Sequence, residues 1–262
     1  MRRLLATSLG LVGACALTLS FATSAEAAAV NYVALGDSYS AGVGAGGSTS
    51  GGSCDRSTNA YPALWAGTHS PASFTFAACS GATTSDVQSS QVATLSSGTT
   101  LVSMTIGGND AGFSSVMETC VLESTSSCVA AVNTAKNFVQ TQLPGKLDAT
   151  LQAIHAHAPN AAVKLLGYPD FYDTSVSFCI GLSRTDHTAL NGAADALDTA
   201  LSAAAGRDNA TFVDVRANFA GHELCDSNEW LHSISWPIGD SYHPKAAGQS
   251  GAYLPAFASA AG

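Results

Sequence analysis

Ser38 and His243 are the residues of this chain best placed for covalent chemistry. Ser38 belongs to the tetrapeptide Gly-Asp-Ser-Tyr at residues 36–39, directly after a short apolar segment. A serine hydroxyl becomes a good nucleophile only when a base removes its proton. His243 follows a second copy of the tetrapeptide, and Asp240 lies three residues before it. This spacing predicts that His243 takes the proton from Ser38, while the Asp240 carboxylate holds the imidazole at Nδ1.

Attack by a serine on a carbonyl creates an oxyanion, which needs hydrogen-bond donors already in place. The candidates are the backbone N–H groups of Ser38 and Gly81 and the side-chain amide of Asn109. Each of these residues follows a different predicted strand, and Asn109 comes after two glycines that allow a substrate to approach closely. We expect the three donors to form an oxyanion hole.

Strands and helices alternate along the chain and would bring these loops together. The predicted strands are residues 31–36, 74–78, 101–106, 161–167 and 211–215, and the predicted helices are residues 61–69, 84–94, 129–157, 185–205 and 244–260. This alternation indicates an α/β fold whose parallel sheet is covered on both faces. Ligands bind beyond the carboxyl ends of the strands in such sheets, so we expect the site there.

Each motif also has an ordinary explanation when it is taken alone. Gly, Asp and Ser are common in turns, residues 107–110 are typical of a loop, and His243 is compatible with a plain helix start. Asp240 is a favoured residue near a helix N-terminus, and Asp37 and Asp110 are expected to stabilise loops. The motifs occur together, each at a predicted strand end or helix start, and this favours an active site over coincidence.

The histidines outside this set do not predict a metal site. His155 and His157 are two positions apart on a predicted helix, so their side chains do not share a face. His222 and Glu223 lack the second histidine of a zinc-protease helix. We therefore expect no metal.

Residues 1–27 have the pattern of a secretory signal peptide. Basic residues, an apolar run and small residues precede a predicted cleavage after Ala27. The alternative is lipid attachment at Cys15, which would tether the protein to a membrane. Residues 28–262 are then expected to form a single domain without a permanent membrane anchor, because no later segment has the length of apolar residues that a span requires.

The charge balance argues against a nucleic-acid partner. The chain has 10 Lys and Arg against 19 Asp and Glu. Without Arg2, Arg3 and Glu26, eight basic and 18 acidic residues are left, a net charge of −10. Because nucleic-acid binding depends on clustered Lys and Arg, this class of partner is excluded.

Six cysteines lie beyond the predicted leader, and an even number in an exported chain predicts disulfides. They are Cys54, Cys79, Cys120, Cys128, Cys179 and Cys225. About 15 pairings are open to six cysteines, and closeness in sequence favours only Cys120 with Cys128. A zinc site is the alternative, but no C-x-x-C pair supports it.

Four blocks of the chain together resemble the conserved blocks of the SGNH hydrolases, also called GDSL lipases and esterases. The blocks are residues 36–39, Gly81, residues 107–110 and residues 240–244, and they span almost the whole of residues 28–262. The leader, the six cysteines and the length are similar to those of secreted bacterial lipases and phospholipases A1 of that family.

The resemblance implies a three-layer α/β/α sandwich around a five-stranded parallel sheet, of flavodoxin-like type. It implies disulfides between consecutive cysteines, which are Cys54 with Cys79, Cys120 with Cys128 and Cys179 with Cys225. It also implies no metal and no cofactor.

The chain departs from the family motif at one residue, and the resemblance leaves open which group orients His243. Tyr39 stands where a leucine is common, and we expect it to alter the acyl site. Some relatives orient the histidine with a main-chain carbonyl instead of an Asp, and here the carbonyl of Ser241 would replace Asp240.

The sequence thus predicts a secreted, extracellular serine ester hydrolase that forms an acyl-enzyme on Ser38 and acts on lipid or aliphatic esters. Phospholipase A1 and carbohydrate acetyl esterase are alternatives with the same machinery, and a secreted binding protein without turnover is the alternative of another class. We expect a monomer whose partners are its ester substrate and a lipid surface. Trp230, Trp236 and Phe219 are candidates either for an acyl pocket or for ordinary packing.

Overall fold

The computed structural model describes residues 29–176 and 179–262. The predicted signal peptide and the alternative lipid-attachment residue, Cys15, lie outside these residues.

Seven strands are present in the described residues. They are β1 (Asn31–Gly36), β2 (Thr49–Ser50), β3 (Arg56–Ser57), β4 (Ser73–Phe76), β5 (Leu101–Thr105), β6 (Ala162–Leu166) and β7 (Thr211–Val213). The first predicted strand has the observed bounds, and the other four predicted strands differ from β4, β5, β6 and β7 by one or two residues at their ends. The short strands β2 and β3 form a separate antiparallel pair.

The other five strands form one parallel sheet in the order β4-β1-β5-β6-β7. The chain runs to one side of β1 with β4 and to the other side with β5, which is the flavodoxin-like order. In such sheets the crevice for ligands opens where the order reverses, at the carboxyl ends of β1 and β5. The predicted fold class is therefore confirmed.

Ten helices surround the sheet in the described residues. They are α1 (Ser38–Ala41), α2 (Tyr61–His69), α3 (Thr84–Ser89), α4 (Phe113–Leu122), α5 (Thr125–Thr141), α6 (Leu143–His157), α7 (Arg184–Arg207), α8 (Arg216–Phe219), α9 (Ala246–Gly248) and α10 (Leu254–Ala261). The 3₁₀ turns are Gly52–Cys54, Gln91–Thr94 and Ile238–Asp240, and a π-helical turn covers Gln249–Tyr253.

Three of the predicted helices were wrong in extent. The predicted helix 84–94 ends as α3 at Ser89 and is followed by the 3₁₀ turn Gln91–Thr94. The predicted helix 129–157 is two helices, because the chain turns at Gln142 and Pro144 opens the first turn of α6. Proline suits that position because its missing N–H has no partner there. The predicted helix 244–260 is divided among α9, the π-helical turn and α10.

Helices cover both faces of the sheet. α2 and α10 contact each other, and their Trp65 and Phe257 pack around the buried ring of Tyr32 on β1. α5, α6 and α7 contact one another in a second layer. No helix among the described residues is long and apolar enough to cross a membrane.

Candidate active site

Ser38 is the first residue of α1, at the carboxyl end of β1. The chain turns sharply at Gly36, whose φ is +117°, and a Cβ there would lie 2.4 Å from the carbonyl oxygen of Thr105. Only glycine fits this conformation and this contact. Asp37 caps the helix by accepting a 3.0 Å hydrogen bond from the N–H of Tyr39. Ser38 is thereby held at the start of a helix with 7% of its surface exposed.

His243 lies against Ser38 although 205 residues separate them in sequence. The distance from its Nε2 to Ser38 Oγ is 2.7 Å. Its Nδ1 lies 3.1 Å from the carbonyl oxygen of Ser241. A carbonyl only accepts, so Nδ1 carries the proton and Nε2 presents a lone pair to the serine hydroxyl. This is the tautomer that a general base needs.

Of the two groups that the sequence analysis offered at Nδ1, the Ser241 carbonyl and not the Asp240 carboxylate contacts the imidazole. Within the described part of the chain, Nδ1 donates its hydrogen bond to the Ser241 carbonyl, and no hydrogen bond joins the Asp240 carboxylate to the ring. Asp240 contributes its main-chain carbonyl, which accepts from the N–H of His243 at 3.1 Å. The reason is local geometry: residues 238–240 form a 3₁₀ turn that leaves the Asp240 side chain half-exposed.

Burial keeps the imidazole neutral. His243 is 9% exposed, and its removal from water lowers its pKa to about 4. The Ser241 carbonyl favours the charged form, but this effect is smaller than that of burial. At neutral pH the imidazole is therefore unprotonated at Nε2 and able to accept a proton.

The three predicted oxyanion donors lie on loops that are joined to one another. The N–H of Ser38 is in the first turn of α1, where backbone donors have no partner inside the helix. Asn109 donates one amide hydrogen to the carbonyl of Ala82 at 2.9 Å, which holds the Asn109 side chain against the loop that contains Gly81. The second amide hydrogen is then available to an oxyanion. Cys79 donates to the carbonyl of Gly36 at 2.9 Å, which links the Gly81 loop to the end of β1.

Asp110 and the Cys54–Cys79 disulfide strengthen this arrangement. The Asp110 carboxylate accepts from the N–H and the hydroxyl of Thr84, at 2.9 and 2.6 Å. The expectation that Asp110 stabilises a loop is confirmed. Cys54 and Cys79 form a disulfide beside the Gly81 loop.

Comparison with known proteins decides the family. A profile of the GDSL-like Lipase/Acylhydrolase family matches residues 34–250. Lipase 1 of Streptomyces coelicolor is 56% identical over 259 residues, which cover 97% of this chain and 96% of that protein. The chain belongs to the GDSL-like lipase/acylhydrolase family. It is a carboxylic-ester hydrolase, and the resemblance found in the sequence is confirmed.

Two solved structures share the fold of this GDSL hydrolase. The crystal structure of phospholipase A1 from Streptomyces albidoflavus NA297 has a TM-score of 0.86 and 56% identity, covering 88% of this chain and 99% of that one. The extracellular lipase from Streptomyces rimosus has a TM-score of 0.87 and 51% identity, covering 88% of this chain and 100% of that one. The agreement extends over whole domains.

An apolar pocket of the hydrolase opens beside Ser38 and runs between α4, α5 and α7. Its lining consists of Asp37, Ser38, Tyr39, Gly108, Asn109, Ala111, Phe113, Val116, Met117, Ala135, Lys136, Val139, Tyr168, Phe171, Leu190, Ala193, Ala194 and Leu197. Most of these side chains are aliphatic or aromatic, so the pocket suits a hydrocarbon chain. Tyr39, the departure from leucine, is one of its walls.

The predicted aromatic candidates are absent from this lining. Phe219 is fully buried and packs against Trp230, and Trp230 stacks on His222. Trp236 is 90% exposed. The packing interpretation is therefore correct for Phe219 and Trp230, whereas Trp236 is exposed to solvent and neither lines the pocket nor packs in the core.

Asp37 and Tyr168 form a buried network next to Ser38. The Asp37 carboxylate accepts from the hydroxyl of Tyr168 and, at 2.7 Å, from that of Thr105. Burial raises the pKa of Asp37 to about 6, and these hydrogen bonds partly offset the rise. Sequence reasoning treated Asp37 as a loop stabiliser, which is confirmed, but it missed Tyr168. Its position just beyond the end of β6 was the available signal.

Tyr39 joins the two Gly-Asp-Ser-Tyr copies. Its hydroxyl donates to the carbonyl oxygen of Tyr242 at 2.5 Å, and its ring lies 5.2 Å from that of His243. Tyr242 has a φ of +64°, an uncommon conformation for a bulky residue. The phenol of Tyr39 therefore supports the backbone that precedes the imidazole.

The other two disulfides are Cys120 with Cys128 and Cys179 with Cys225, the pairs that the family resemblance implied. His187 lies close to the sulfurs of the second pair, but both sulfurs are engaged in the disulfide. This group does not offer thiolate ligands for a metal.

Proposed function

We propose that Ser38 is the nucleophile of this ester hydrolase and that His243 is its general base. The Ser38 hydroxyl passes its proton to His243 Nε2 as Oγ bonds to the ester carbonyl carbon. The N–H groups of Ser38 and Gly81 and the amide of Asn109 donate to the oxyanion. His243 then protonates the leaving alcohol, the C–O bond breaks, and the acyl group stays on Ser38. A water molecule then gives a proton to His243 Nε2 as its oxygen bonds to the acyl carbon. The bond from that carbon to Ser38 Oγ breaks, His243 returns the proton to Oγ, and the acid leaves.

The observation that carries this proposal is the 2.7 Å contact between His243 Nε2 and Ser38 Oγ. The Ser241 carbonyl at Nδ1 supplies the orientation that a carboxylate gives in a triad. We therefore propose a Ser38–His243 dyad oriented by a main-chain carbonyl.

We propose esters of long-chain fatty acids in lipids as the substrates. The lining of the pocket beside Ser38 is mostly aliphatic and aromatic and comes from three helices, which favours the hydrocarbon chains of lipids over acetylated sugars. The relatives are named a lipase and a phospholipase A1. Triacylglycerols and the sn-1 ester of phospholipids are thus the two candidate classes.

Labelling with a fluorophosphonate tests the nucleophile. Fluoride leaves as Ser38 Oγ bonds to phosphorus, and intact-mass spectrometry should find one adduct per chain, on the peptide that contains Ser38. The Ser38→Ala variant should take up none. A folded wild-type protein that neither reacts nor cleaves p-nitrophenyl butyrate would instead be a binding protein without turnover.

A substrate panel separates the candidate classes. Release of carboxylic acid is measured from triolein, from phosphatidylcholine and from acetylated xylan, with the Ser38→Ala variant as the blank. The proposal expects turnover of a lipid well above that of the sugar ester. Preference for acetylated xylan would contradict it.

We also propose that residues 1–27 are removed on export and that residues 28–262 act as a monomeric, extracellular domain. Three disulfides support an oxidising compartment. All the proposed catalytic groups come from one chain, so no second copy is needed. Mass spectrometry of the secreted protein and its elution in size-exclusion chromatography test the two parts separately.

A further inference from the structure

Four exposed apolar side chains lie in or next to a groove that His243 also lines. Leu122 is 71% exposed, Ile234 51%, Trp236 90% and Ile238 64%. We call these four residues the apolar rim. The described residues contain only one other large apolar side chain of comparable exposure, Ile180. Monomeric proteins rarely expose large apolar side chains together without a binding role.

The apolar rim belongs to a groove that reaches the catalytic histidine. Leu122, Ile234 and Ile238 line this groove together with His243, and Trp236 lies between the two isoleucines in the same loop. Phe113 and Met117 line both the groove and the apolar pocket beside Ser38. An acyl chain that leaves a lipid aggregate at the rim therefore has an apolar route to the nucleophile.

The charges near the rim select the kind of surface. The exposed Glu118 is the one acidic side chain in the described lining of the groove, and the lining has no Lys or Arg. The whole chain carries a formal charge of −9. An anionic bilayer attracts proteins through Lys and Arg near its surface, and this groove offers none. The charges fit an uncharged or zwitterionic lipid surface.

We propose that the apolar rim docks the enzyme on the surface of neutral lipid aggregates, with Trp236 and Leu122 inserted among the lipids. This inference rests on the proposed function, because it names how the substrate reaches the Ser38 site. Tryptophan suits the role, since its amphipathic ring is enriched at the interface between the apolar and aqueous parts of a membrane. In the docked enzyme the groove faces the lipid surface at the depth of the ester bonds.

The test measures binding and catalysis separately. Binding is measured by co-sedimentation with dioleoylphosphatidylcholine vesicles, with all proteins carrying Ser38→Ala so that the lipid is not consumed. Adding Leu122→Ser and Trp236→Ser together should weaken binding by about 10- to 100-fold, because two apolar side chains no longer leave water. Ile180→Ser, an equally exposed isoleucine outside the groove lining, is the matched control and should bind as before.

Catalysis is measured in proteins that keep Ser38. In the double variant, hydrolysis of vesicle lipid should fall further than hydrolysis of dissolved p-nitrophenyl butyrate, by about the factor of the lost binding. Equal binding by the double variant, or an equal loss in the Ile180→Ser control, would overturn the docking proposal. If wild type cleaves the dissolved ester but its Ser38→Ala form binds no vesicles, docking fails while the proposed function stands.

Two further arms exclude other occupants. Vesicles with added phosphatidylglycerol should bind no more tightly than phosphatidylcholine alone, and much tighter binding would replace the apolar explanation by an electrostatic one. Size-exclusion chromatography without lipid should give the same elution for the protein with and without the rim substitutions. If the protein without rim substitutions is a dimer and the double variant is a monomer, the rim would bind a second copy of the chain instead.

Discussion

The two Gly-Asp-Ser-Tyr copies are identical in sequence and opposite in use. In the first copy the serine side chain faces the imidazole, with Ser38 Oγ 2.7 Å from His243 Nε2. In the second copy the serine contributes its main-chain carbonyl to Nδ1, while the Ser241 hydroxyl accepts from the N–H of Ser235. The same four residues thus supply the proposed nucleophile at one end of the chain and a backbone support for His243 at the other.

The elements around each copy cause this difference. The first copy is fixed between β1 and α1, and Asp37 is 2% exposed among hydrogen-bond partners. The second copy follows Pro237 and begins in a 3₁₀ turn, and its Asp240 is half-exposed. A short motif has no fixed role, because its side chains take the environment that the flanking elements provide.

Removing each serine hydroxyl should give the largest contrast. Ser38→Ala should lower kcat by about 10⁴- to 10⁶-fold, since the nucleophile is lost and only binding and the oxyanion donors are left. Ser241→Ala keeps the carbonyl that contacts His243 and should retain activity within about threefold. Both are measured with p-nitrophenyl butyrate. Comparable losses in the two variants would mean that the copies do not divide the work as described.

Asn109→Ala removes the side-chain donor that is proposed to act with the N–H of Ser38 in the oxyanion hole. The N–H of Ser38 cannot be deleted by substitution, but the Asn109 amide can, and loss of one oxyanion donor costs about 10²- to 10³-fold in kcat. KM should change little. Asn109→Asp is a matched variant of similar size that also lacks the donor. Full activity in both would remove Asn109 from the oxyanion hole.

The pH dependence of kcat/KM measures the pKa of His243, which lies buried against Ser38 of the first copy. Burial lowers the pKa of His243 to about 4, so kcat/KM should stay level on lowering the pH from 7 until about 4. Below that value, protonation of Nε2 removes the base, and the rate should fall about tenfold per pH unit. A fluorogenic ester serves for the rates, with circular dichroism confirming that the protein stays folded. A decline centred near pH 6.5 would indicate a solvated imidazole.

The two aspartates should differ in stability. Asp37→Asn replaces an oxygen that accepts hydrogen bonds inside the protein by a donor, so the free energy of unfolding should fall by roughly 1–3 kcal/mol. Asp240→Asn alters a half-exposed side chain and should change it by less than about 0.5 kcal/mol. Urea denaturation at pH 7 measures both. A larger effect at Asp240 would restore that carboxylate to a structural or catalytic role.

The two tyrosines should show the smallest contrast. Tyr39→Phe removes the hydroxyl that donates to the Tyr242 carbonyl, and a single hydrogen bond of this kind is worth about 0.5–1.5 kcal/mol. We expect kcat to fall by about tenfold or less, with KM unchanged. Tyr242→Phe loses only a 3.2 Å contact with the Tyr172 hydroxyl and should stay within about twofold. Equal kinetics for wild type and Tyr39→Phe would show that the phenol does not support His243.

The fold was predictable where local pattern and tertiary role agree. The strand at residues 31–36 is apolar and ends at a glycine, and it has the predicted bounds. Helix α4 was missed, because it begins after Gly112, whose φ is +76°, without a side-chain cap. The break between α5 and α6 carried a signal at Pro144 that the prediction did not use.

The site was predictable in its reacting side chains and less so in their supports. Ser38 and His243 could be singled out because hydroxyl and imidazole chemistry requires those residue types. The supports of the site include the carbonyl of Ser241 and the hydroxyl of Tyr168. Every residue has a carbonyl, so its use as an orienting group depends on the path of the backbone and has no sequence signature.

The sequence by itself determined the alternation of strands and helices, the cysteines available for disulfides and the residues able to carry out ester hydrolysis, since these depend on local pattern and side-chain chemistry. Only the tertiary structure decided that Ser241 rather than Asp240 faces the imidazole, that Tyr39 supports the Tyr242 backbone, and that four exposed apolar side chains lie in or next to one groove. These are relations between segments about 100 or 200 residues apart or between a side chain and a backbone path, and they exist only after the chain has folded.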